Sequence, residues 1–304
     1  MFNIIGKRFH FFVLSGLLIL GCIVALAVFG LKPGIEFSSG SLLTIRFEQT
    51  VDIGDLRDEL SDIGYPGAIV QTTSSGDFQI RTTTLTDSDR TSLSQALTER
   101  FGSYTESGFV DIKPTVSQQT VRTVIIALAV ATLGILLYVT FAFRKMPHPI
   151  RYGTCGIVAM AFDVLMVVGI FSLIAGILNW EINLMFITGI LAVIGYSIND
   201  KIVIFDRIRE NVRQVGGADF ASIVNRSLVE TLTRSIITGV STLFTIIALM
   251  LFVGTTIMNF LVVLLIGIVV GTYSSILVAA PLLVVWQNGE WYRFLPWLKK
   301  PVQS

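Results

Sequence analysis

The chain has 304 residues, of which 53% are hydrophobic and 14% are charged, and its mean hydropathy is +0.75. This composition offers too few polar side chains to cover a soluble surface, so it excludes a soluble globular protein and indicates a membrane protein. The formal net charge of +1 hides an uneven distribution. Residues 32–113 hold 7 Lys and Arg against 13 Asp and Glu, whereas the rest of the chain holds 15 against 8.

Cysteine and histidine are scarce, at two residues each. Cys22 and Cys155 lie within apolar stretches, which predicts neither a disulfide framework nor a thiolate metal site. The chain also has no phosphate-binding loop and no glycine fingerprint for dinucleotides. We therefore expect no metal, no cofactor and no nucleic-acid partner.

The first apolar run, residues 11–31, follows Lys7 and Arg8 in the manner of a signal peptide. It continues beyond the roughly 7–15 apolar residues of a signal peptide, which favours an uncleaved first helix, with a cleaved signal as the alternative. Further runs long enough to cross a hydrocarbon core of about 30 Å predict five more transmembrane helices. They lie at roughly 121–143, 154–178, 183–206, 235–253 and 259–286.

Basic residues determine the predicted orientation, because Lys and Arg concentrate in cytoplasmic loops. They cluster before the first run, between the second and third, between the fourth and fifth, and at Lys299 and Lys300. Both termini are then cytoplasmic. The predicted organisation is a first helix within 1–31, an extracytoplasmic domain at 32–120, five helices within 121–286 and a tail at 287–304.

The segment 32–120 carries a strand and helix pattern of its own. Alternating and helical periodicities predict strands at 41–47, 68–73, 78–83 and 108–116, and helices at 52–63 and 87–101, the second capped by Asp87. The order β-α-β-β-α-β is that of the ferredoxin-like split unit. The predicted fold is therefore a polytopic α-helical membrane protein with six transmembrane helices and one extracytoplasmic α+β ferredoxin-like (βαββαβ) domain. That domain either contacts a transported chain or is a spacer.

Charged residues inside the predicted spans are the candidate functional residues, because charge in a membrane is costly unless it faces a partner or a water path. The third span contains Asp163, and the fourth contains Asp200. The fifth begins at Arg234 and presents hydroxyls on one face. The predicted ion pathway comprises these residues and the polar groups around them: Asp163, Ser197, Asn199, Asp200, Arg234, Thr238, Ser241 and Thr242.

Asp200 and Arg234 fall at similar predicted depths, so the two side chains are expected to face each other. In one interpretation Asp200 takes up and releases a proton, under the control of a mobile Arg234. In the alternative, Asp200 pairs permanently with Lys201 or with Arg234 as a packing element. Asp163 is either a relay partner or a hydrogen-bonding anchor.

Three other features have simpler interpretations. Asp206, Arg207 and Arg209 resemble a solvated cluster at the membrane edge, and Gly267 and Gly271 a helix-packing pair. Residues 207–234 contain an amphipathic stretch, which is expected to lie along the inner membrane surface or to bind a partner. Its apolar side comprises Ala221, Val224, Leu228 and Leu232.

The segment from Gly195 to Asn211, GYSINDKIVIFDRIREN, closely resembles the fourth-helix signature of the SecF family of bacterial protein-export subunits. Asp163, the segment Gly34–Gly40 (GIEFSSG) and the residues entering the fifth helix agree with the same family. The family-motif residues are Gly34, Glu36, Phe37, Gly40, Gly195, Tyr196, Asp206, Arg207, Arg209 and Asn211. Two departures are Lys201, where the family usually has Thr, and Ser39, where it usually has Gly.

The resemblance implies a non-enzymatic accessory subunit in the bacterial plasma (inner) membrane. It would act with SecD, the SecYEG channel, SecA and YajC, and use the proton gradient to promote late steps of preprotein export in contact with membrane lipid. Asp200 then corresponds to the family's proton-path Asp, and Arg234 to its partner Arg. Whether the ion is H⁺ or Na⁺, and whether SecD is a separate chain, stay open.

Two alternatives belong to other classes. An intramembrane aspartyl protease needs two membrane carboxylates, which Asp163 and Asp200 supply, but its GxGD pattern is absent around Asp200. A small-molecule exporter of the resistance-nodulation-division superfamily normally has twelve helices and two outer domains, so six helices would require a partner or a dimer.

Overall fold

The computed structural model describes residues 3–73, 76–214, 219–252 and 257–293, with side chains through residue 291. The chain divides into two compact units. The helical unit comprises residues 1–31, 127–180 and 185–304, and the sheet-containing unit comprises residues 32–126 and 181–184. The predicted turn residues Ser74 and Ser75, most of the loop at 254–258 and the tail beyond residue 293 lie outside the described residues.

The sheet-containing unit has four strands and three helices before the long helix that follows it. In chain order they are α2 (Ile35–Ser38), β1 (Gly40–Phe47), α3 (Ile53–Asp62), β2 (Ile69–Thr72), β3 (Phe78–Thr82), α4 (Asp87–Phe101) and β4 (Tyr104–Ile112). The strand order is β2-β3-β1-β4, with every neighbouring pair antiparallel. This is the split β-α-β topology, so the predicted ferredoxin-like domain is confirmed.

The core of this unit lies between one face of the sheet and helices α3 and α4. Alternate residues of β1, namely Leu43, Ile45 and Phe47, are buried, as the period of two in a strand requires. Phe47 makes edge contacts with three rings at centroid distances of 5.5–5.7 Å, those of Phe78, Phe101 and Tyr104. Apolar side chains spaced at four residues on the helices complete the core: Leu56, Leu60, Leu93 and Leu97.

Two element boundaries differ from the prediction. Strand β4 begins at Tyr104 rather than residue 108, because Gly108 lies inside the strand opposite Thr44, next to an irregularity in the pairing. Thr86 rather than Asp87 caps α4, in a reciprocal pair with Asp89. Both differences arise because the residue type fits more than one position. Gly also occurs at irregularities inside strands, and Asp is favoured in the first turn of a helix as well as at its cap.

The helical unit is built from long helices. They are α1 (Arg8–Phe29), α5 (Pro114–Ala142), α6 (Pro149–Leu178), α7 (Leu184–Gln214), α8 (Phe220–Phe252), α9 (Met258–Ser274) and α10 (Ala280–Asn288). Residues 114–126 of α5 and Leu184 of α7 belong to the sheet-containing unit. A π-helical turn, Ser275–Ala279, joins α9 to α10 in one run. Among the described residues six runs are long and apolar enough to cross a membrane, which confirms the six predicted helices.

Within its described residues, 207–214 and 219–234, the amphipathic segment forms no separate surface helix. Helix α7 continues through it to Gln214, and α8 begins at Phe220. Val224 and Leu228 on its apolar side are fully buried by protein. The expectation that this side faces the membrane surface is therefore replaced by packing inside the helical unit.

Helices α7 and α9 approach each other closely at glycine positions. A Cβ atom added to Gly267 would lie 2.1 Å from Val193 Cγ2, and one added to Gly271 would lie 3.2 Å from Ser197 Cβ. The predicted packing role of Gly267 and Gly271 is confirmed. This close contact brings the polar residues of α7 against the end of α9.

Candidate functional site

A buried ion pair joins α6 to α7 inside the helical unit. Lys201 Nζ lies 2.7 Å from Asp163 Oδ2, and both side chains are essentially inaccessible to solvent. Ser197, one turn before Lys201 on α7, also donates to Asp163 Oδ2. The spacing of four residues places Ser197 and Lys201 on the same face of α7, towards Asp163.

The ammonium of Lys201 has four acceptors within hydrogen-bond distance. Besides Asp163 they are the hydroxyl of Ser197, the hydroxyl of Ser274 at 3.1 Å and the backbone carbonyl of Ser197 at 3.5 Å. An ammonium carries three N–H donors, so every donor has an acceptor. The other carboxylate oxygen, Asp163 Oδ1, is buried without a hydrogen-bond partner among the described residues.

The carboxylate of Asp200 faces a different pair of neighbours. Adjacent residues on a helix point about 100° apart, so Asp200 is directed towards α8 and the π turn while Lys201 is directed towards α6. Ser235 donates to Asp200 Oδ1 at 2.6 Å, and Ser275 donates to Oδ2 at 2.5 Å. Asp200 is half-buried, and its two oxygens are each held by one hydroxyl.

The π turn connects these two groups. Ser274, the last residue of α9, accepts from Lys201, and Ser275, the first residue of the turn, donates to Asp200. Two consecutive residues on α7 are therefore bound by two consecutive residues at the end of α9. Single π turns within α-helices occur frequently at functional sites.

The remaining predicted pathway residues lie on exposed parts of the described helices. Arg234 is exposed, and no ion pair joins it to Asp200 within the part of the chain that the structure describes. Asn199, Thr238 and Ser241 are also exposed, and Thr242 is half-buried. The hydroxyls of Thr238 and Thr242 donate to backbone carbonyls one turn earlier on α8.

Sequence reasoning missed three hydroxyls of this site, those of Ser235, Ser274 and Ser275. Each is a small residue in an otherwise apolar run, where hydroxyls also serve ordinary helix contacts. The adjacent pair Ser274-Ser275 in the middle of the last apolar run was the available signal. A pair of Lys201 with Asp200 was one form of the alternative interpretation, and the structure pairs Lys201 with Asp163 instead.

The motif residues that follow on α7 form a separate charged network with α8. Arg207 binds Glu210 at 2.5 Å and Glu230 at 2.7 Å, and buried Asn211 donates to Glu230 at 2.8 Å. Asp206 pairs with Arg209 at 2.5 Å. The predicted cluster at Asp206–Arg209 thus includes helix-to-helix bonds, with Glu230 as the acceptor that the sequence did not single out.

The glycine motif lies in the sheet-containing unit, where it surrounds the short helix α2. A Cβ on Gly34 would lie 2.8 Å from the Ile182 carbonyl oxygen, and one on Gly40 would lie 2.4 Å from that of Thr82. Backbone bonds pair residues 32–34 with Ile182. Glu36 and Phe37 between them are half-buried, so the motif glycines serve close backbone contacts.

Arg81 fixes the motif loop to strand β3. It donates to the Pro33 carbonyl at 2.8 Å and to the Ser38 hydroxyl, and it pairs with Glu181 at 3.0 Å. One guanidinium therefore holds three segments that are distant in sequence. None of the described residues forms a group of three or more His, Cys, Asp or Glu that could hold a metal ion.

A multi-pass helical unit with charged groups buried between its helices, together with a ferredoxin-like domain, defines a membrane transport protein. Two family matches refine this class. The family described as protein export membrane protein SecD/SecF, C-terminal, matches residues 93–289, and the SecD/SecF GG motif matches residues 24–51.

Relatives agree with this assignment along the whole chain. A protein translocase subunit SecF from Thermobaculum terrenum is 44% identical over 96% of this chain and 96% of its own length. One from Anaerolinea thermophila is 37% identical over the full length of both chains. The SecDF subunit of Thermus thermophilus is 34% identical over 94% of this chain and 39% of its own length.

Two solved structures share the fold. The crystal structure of SecDF from Thermus, described as a translocon-associated membrane protein, matches 94% of this chain with a TM-score of 0.82 and 33% identity. A super-membrane-facing form of SecDF matches 97% with a TM-score of 0.65 and 31% identity. This chain spans 39% and 40% of those two solved chains.

The chain belongs to the SecD/SecF family of protein-export membrane proteins. It is a multi-pass membrane protein and an accessory subunit of the Sec translocase. The alternative of a small-molecule exporter is not favoured, because the relatives are translocase subunits.

Proposed function

We propose that this chain couples ion movement through Asp200 to the export of unfolded proteins, in association with a SecD subunit. The observation that carries the proposal is the Asp200 carboxylate, half-buried in a membrane helix and held by the hydroxyls of Ser235 and Ser275. Ionisable residues at membrane depth are costly and mark ion pathways. Asp163 is less suited to carry the ion, because Lys201 already neutralises it.

The proposed driving force is the proton gradient. A proton that crosses a gradient of order 200 mV releases about 4–5 kcal/mol, which is enough to shift a two-state equilibrium substantially. In the proposed pathway Ser197, Asn199, Thr238, Ser241 and Thr242 line the approach to Asp200, and Arg234 on α8 is the mobile cation near its entrance. Arg234 would approach Asp200 in a second conformation of the complex.

The proposed orientation places both termini in the cytoplasm of a bacterial cell and residues 32–120 outside the inner membrane. The distribution of Lys and Arg among the loops supports it. The ferredoxin-like domain would then contact the emerging preprotein after the SecYEG channel, SecA and YajC have acted. Its two sheet edges, β2 and β4, support such a contact, because a sheet edge offers unpaired backbone groups to an extended chain.

The test is export into vesicles that contain the full chain, its SecD partner and the Sec channel, with the proton gradient intact or collapsed. Asp200→Asn retains size and hydrogen bonding while removing titration, so we expect normal assembly and loss of the gradient-dependent part of export. Ser172→Ala, which removes a buried hydroxyl of α6 that donates to the Gly30 carbonyl and leaves the Asp200 bonds in place, is the control and should export normally.

The opposing result is normal gradient-dependent export by Asp200→Asn, which would leave Asp200 as a packing element. A transport role without catalysis is part of the proposal, supported by relatives that are translocase subunits. The protease alternative requires Asp163 and Asp200 to act on one substrate bond. Their separate partners, Lys201 on one side and two serines on the other, support the transport role instead.

A further inference from the structure

We propose that Lys201 and Asp163 form a permanently charged pair that positions Asp200 for its function. Lys201 is then a positioning residue, which acts through Asp200 and does not carry the ion itself. The expected effect on export rests on the proposed function. The charge and the immobility of the pair can be tested without it.

The hydrogen bonds at the pair indicate that both groups are ionised. Asp163 Oδ2 accepts from the Lys201 ammonium and from the Ser197 hydroxyl, which is the arrangement that stabilises a carboxylate. The ammonium in turn has an acceptor for each of its three protons, among Asp163, the hydroxyl and carbonyl of Ser197 and the hydroxyl of Ser274. Loss of a proton from Lys201 would leave one of these acceptors without a donor in a buried site, which is unfavourable.

The enclosure of Lys201 indicates that it stays in place. Its side chain is fully buried, and Ser197, Ser274 and Asp163 hold it from α7, α9 and α6. A lysine that moved between Asp163 and Asp200 would have to break three bonds at once. Asp200 itself faces hydroxyls of Ser235 and Ser275, so both of its oxygens already have donors.

The position of Lys201 is coupled to that of Asp200 by adjacent residues on both helices. Lys201 and Asp200 are adjacent on α7, and their partners Ser274 and Ser275 are adjacent at the start of the π turn. Fixing Lys201 on Ser274 therefore fixes the rotation of α7 that presents Asp200 to Ser275. A substitution that releases Lys201 is expected to misplace the Asp200 carboxylate by changing this rotation.

The groups around Asp200 define its electrostatic surroundings. The charged groups behind it are Lys201 and Asp163, and the facing elements contribute the Ser235 hydroxyl from α8 and the Ser275 hydroxyl from the π turn. Tyr196 lies one turn earlier on α7 and is half-buried. Arg234, next to Ser235, is exposed. Tyr273 is directed to Ser15 and Phe162 instead.

Infrared spectroscopy of the full chain in lipid vesicles tests the charge state, since a protonated carboxyl has its own absorption band. Asp163→Asn should remove no such band, because Asp163 is already ionised. Lys201→Met should add one, because an unpaired buried carboxylate takes up a proton. The double variant Lys201→Met with Asp163→Asn should lack the added band. Lys145→Met, which removes an exposed cation, is the matched control.

Unfolding and export distinguish positioning from packing. Lys201→Met should lower the midpoint of thermal unfolding by roughly 10 °C, and the double variant should recover most of this loss. With stability recovered, the double variant should still export poorly. The position of the Asp200 infrared band, identified by its loss in Asp200→Asn, should change in the double variant, because the bonds from Ser235 and Ser275 are altered.

Two results would overturn the inference. Loss of a protonated-carboxyl band in Asp163→Asn would show that the pair is neutral. Recovery of both stability and wild-type export in the double variant, with the Asp200 infrared band unchanged, would reduce the pair to a packing element. Either result leaves the proposed function intact. The proposed function is contradicted by a separate result, which is normal gradient-dependent export by Asp200→Asn.

Discussion

Ser275 donates to Asp200 Oδ2 at 2.5 Å from the first residue of a π turn. The turn widens the last transmembrane run at the residue whose hydroxyl reaches the carboxylate. The widened turn and the hydroxyl bond therefore belong to one local arrangement, which ties the last transmembrane run to the carboxylate of α7.

The first prediction concerns the two hydroxyls that hold Asp200. Ser235→Ala and Ser275→Ala each remove one donor to a carboxylate, so gradient-dependent export should fall roughly tenfold in each, as expected for a hydrogen bond to a charged group. Export into vesicles measures this directly. Ser172→Ala removes a buried hydroxyl that donates to the Gly30 carbonyl at 2.6 Å, far along α6 from the site, and should export normally. Equal losses in all three variants would contradict a specific role.

The second prediction concerns the backbone of the glycine motif. Ser39 has φ 62° and ψ 167°, a region that side chains rarely adopt, so Ser39→Gly should stabilise the protein by about 1 kcal/mol. Gly40 has φ 125°, and its added Cβ would meet the Thr82 carbonyl, so Gly40→Ala should destabilise it. Thermal unfolding of the full chain measures both. A lower midpoint for Ser39→Gly would show that strain at this residue is absent in solution.

The third prediction concerns pH and the start of α4. Hydrogen bonds from the hydroxyl of Thr86, and then from its backbone N–H, hold the pKa of Asp89 below its usual value. A lowered pKa contributes stability at neutral pH that is lost as the pH falls from about 4 through the folded-state value. Hydrogen exchange of the first-turn amides should accelerate over that range, and Asp89→Asn should remove the dependence. Asp87→Asn changes the same charge in the same turn and should retain it.

The fourth prediction concerns Arg81 and the motif loop. Arg81→Met removes bonds to Pro33, Ser38 and Glu181 at a site where the guanidinium is 16% exposed, so it should destabilise the sheet-containing unit by about 1–3 kcal/mol. Arg100→Met removes an exposed pair with Glu59 at 3.7 Å, where we expect less than about 1 kcal/mol. Limited proteolysis of the loop at 32–39 is the measurement. Similar cleavage of both variants would contradict the role of Arg81 in holding the loop.

Hydropathy and periodicity were sufficient to predict the six spans and the ferredoxin-like order, because burial is repeated along each element. Side-chain partners were not predictable in the same way. Which carboxylate Lys201 meets depends on the rotation of α7 against α6, and a rotation of one residue, about 100°, exchanges Asp163 for the neighbours of Asp200. The sequence places Lys201 beside Asp200 along the chain, and the fold separates them around the helix.

Hydroxyl residues illustrate the same limit. The stripe from Thr238 to Thr242 follows Arg234 on α8, and the hydroxyls of Thr238 and Thr242 donate to their own helix. Its place in the ion pathway stays a prediction. Ser274 and Ser275 have no charged neighbour in the sequence, so the sequence alone does not distinguish them from packing residues. Only the approach of α9 to α7 at Gly267 and Gly271 brings them to the ionised residues.

A π turn contains one residue more than the α-helix around it needs, and the wider turn absorbs that residue. Removal of a single residue between Ser275 and Ala279 would let α9 and α10 merge into one regular helix. The segment beyond the deletion, including Trp286 and its ring contact with Trp291, would keep nearly the same direction around the helix axis relative to Ser274. The extra residue thus changes the helix only locally, at the hydroxyl that binds Asp200, and leaves the aromatic end of α10 in phase with the polar end of α9.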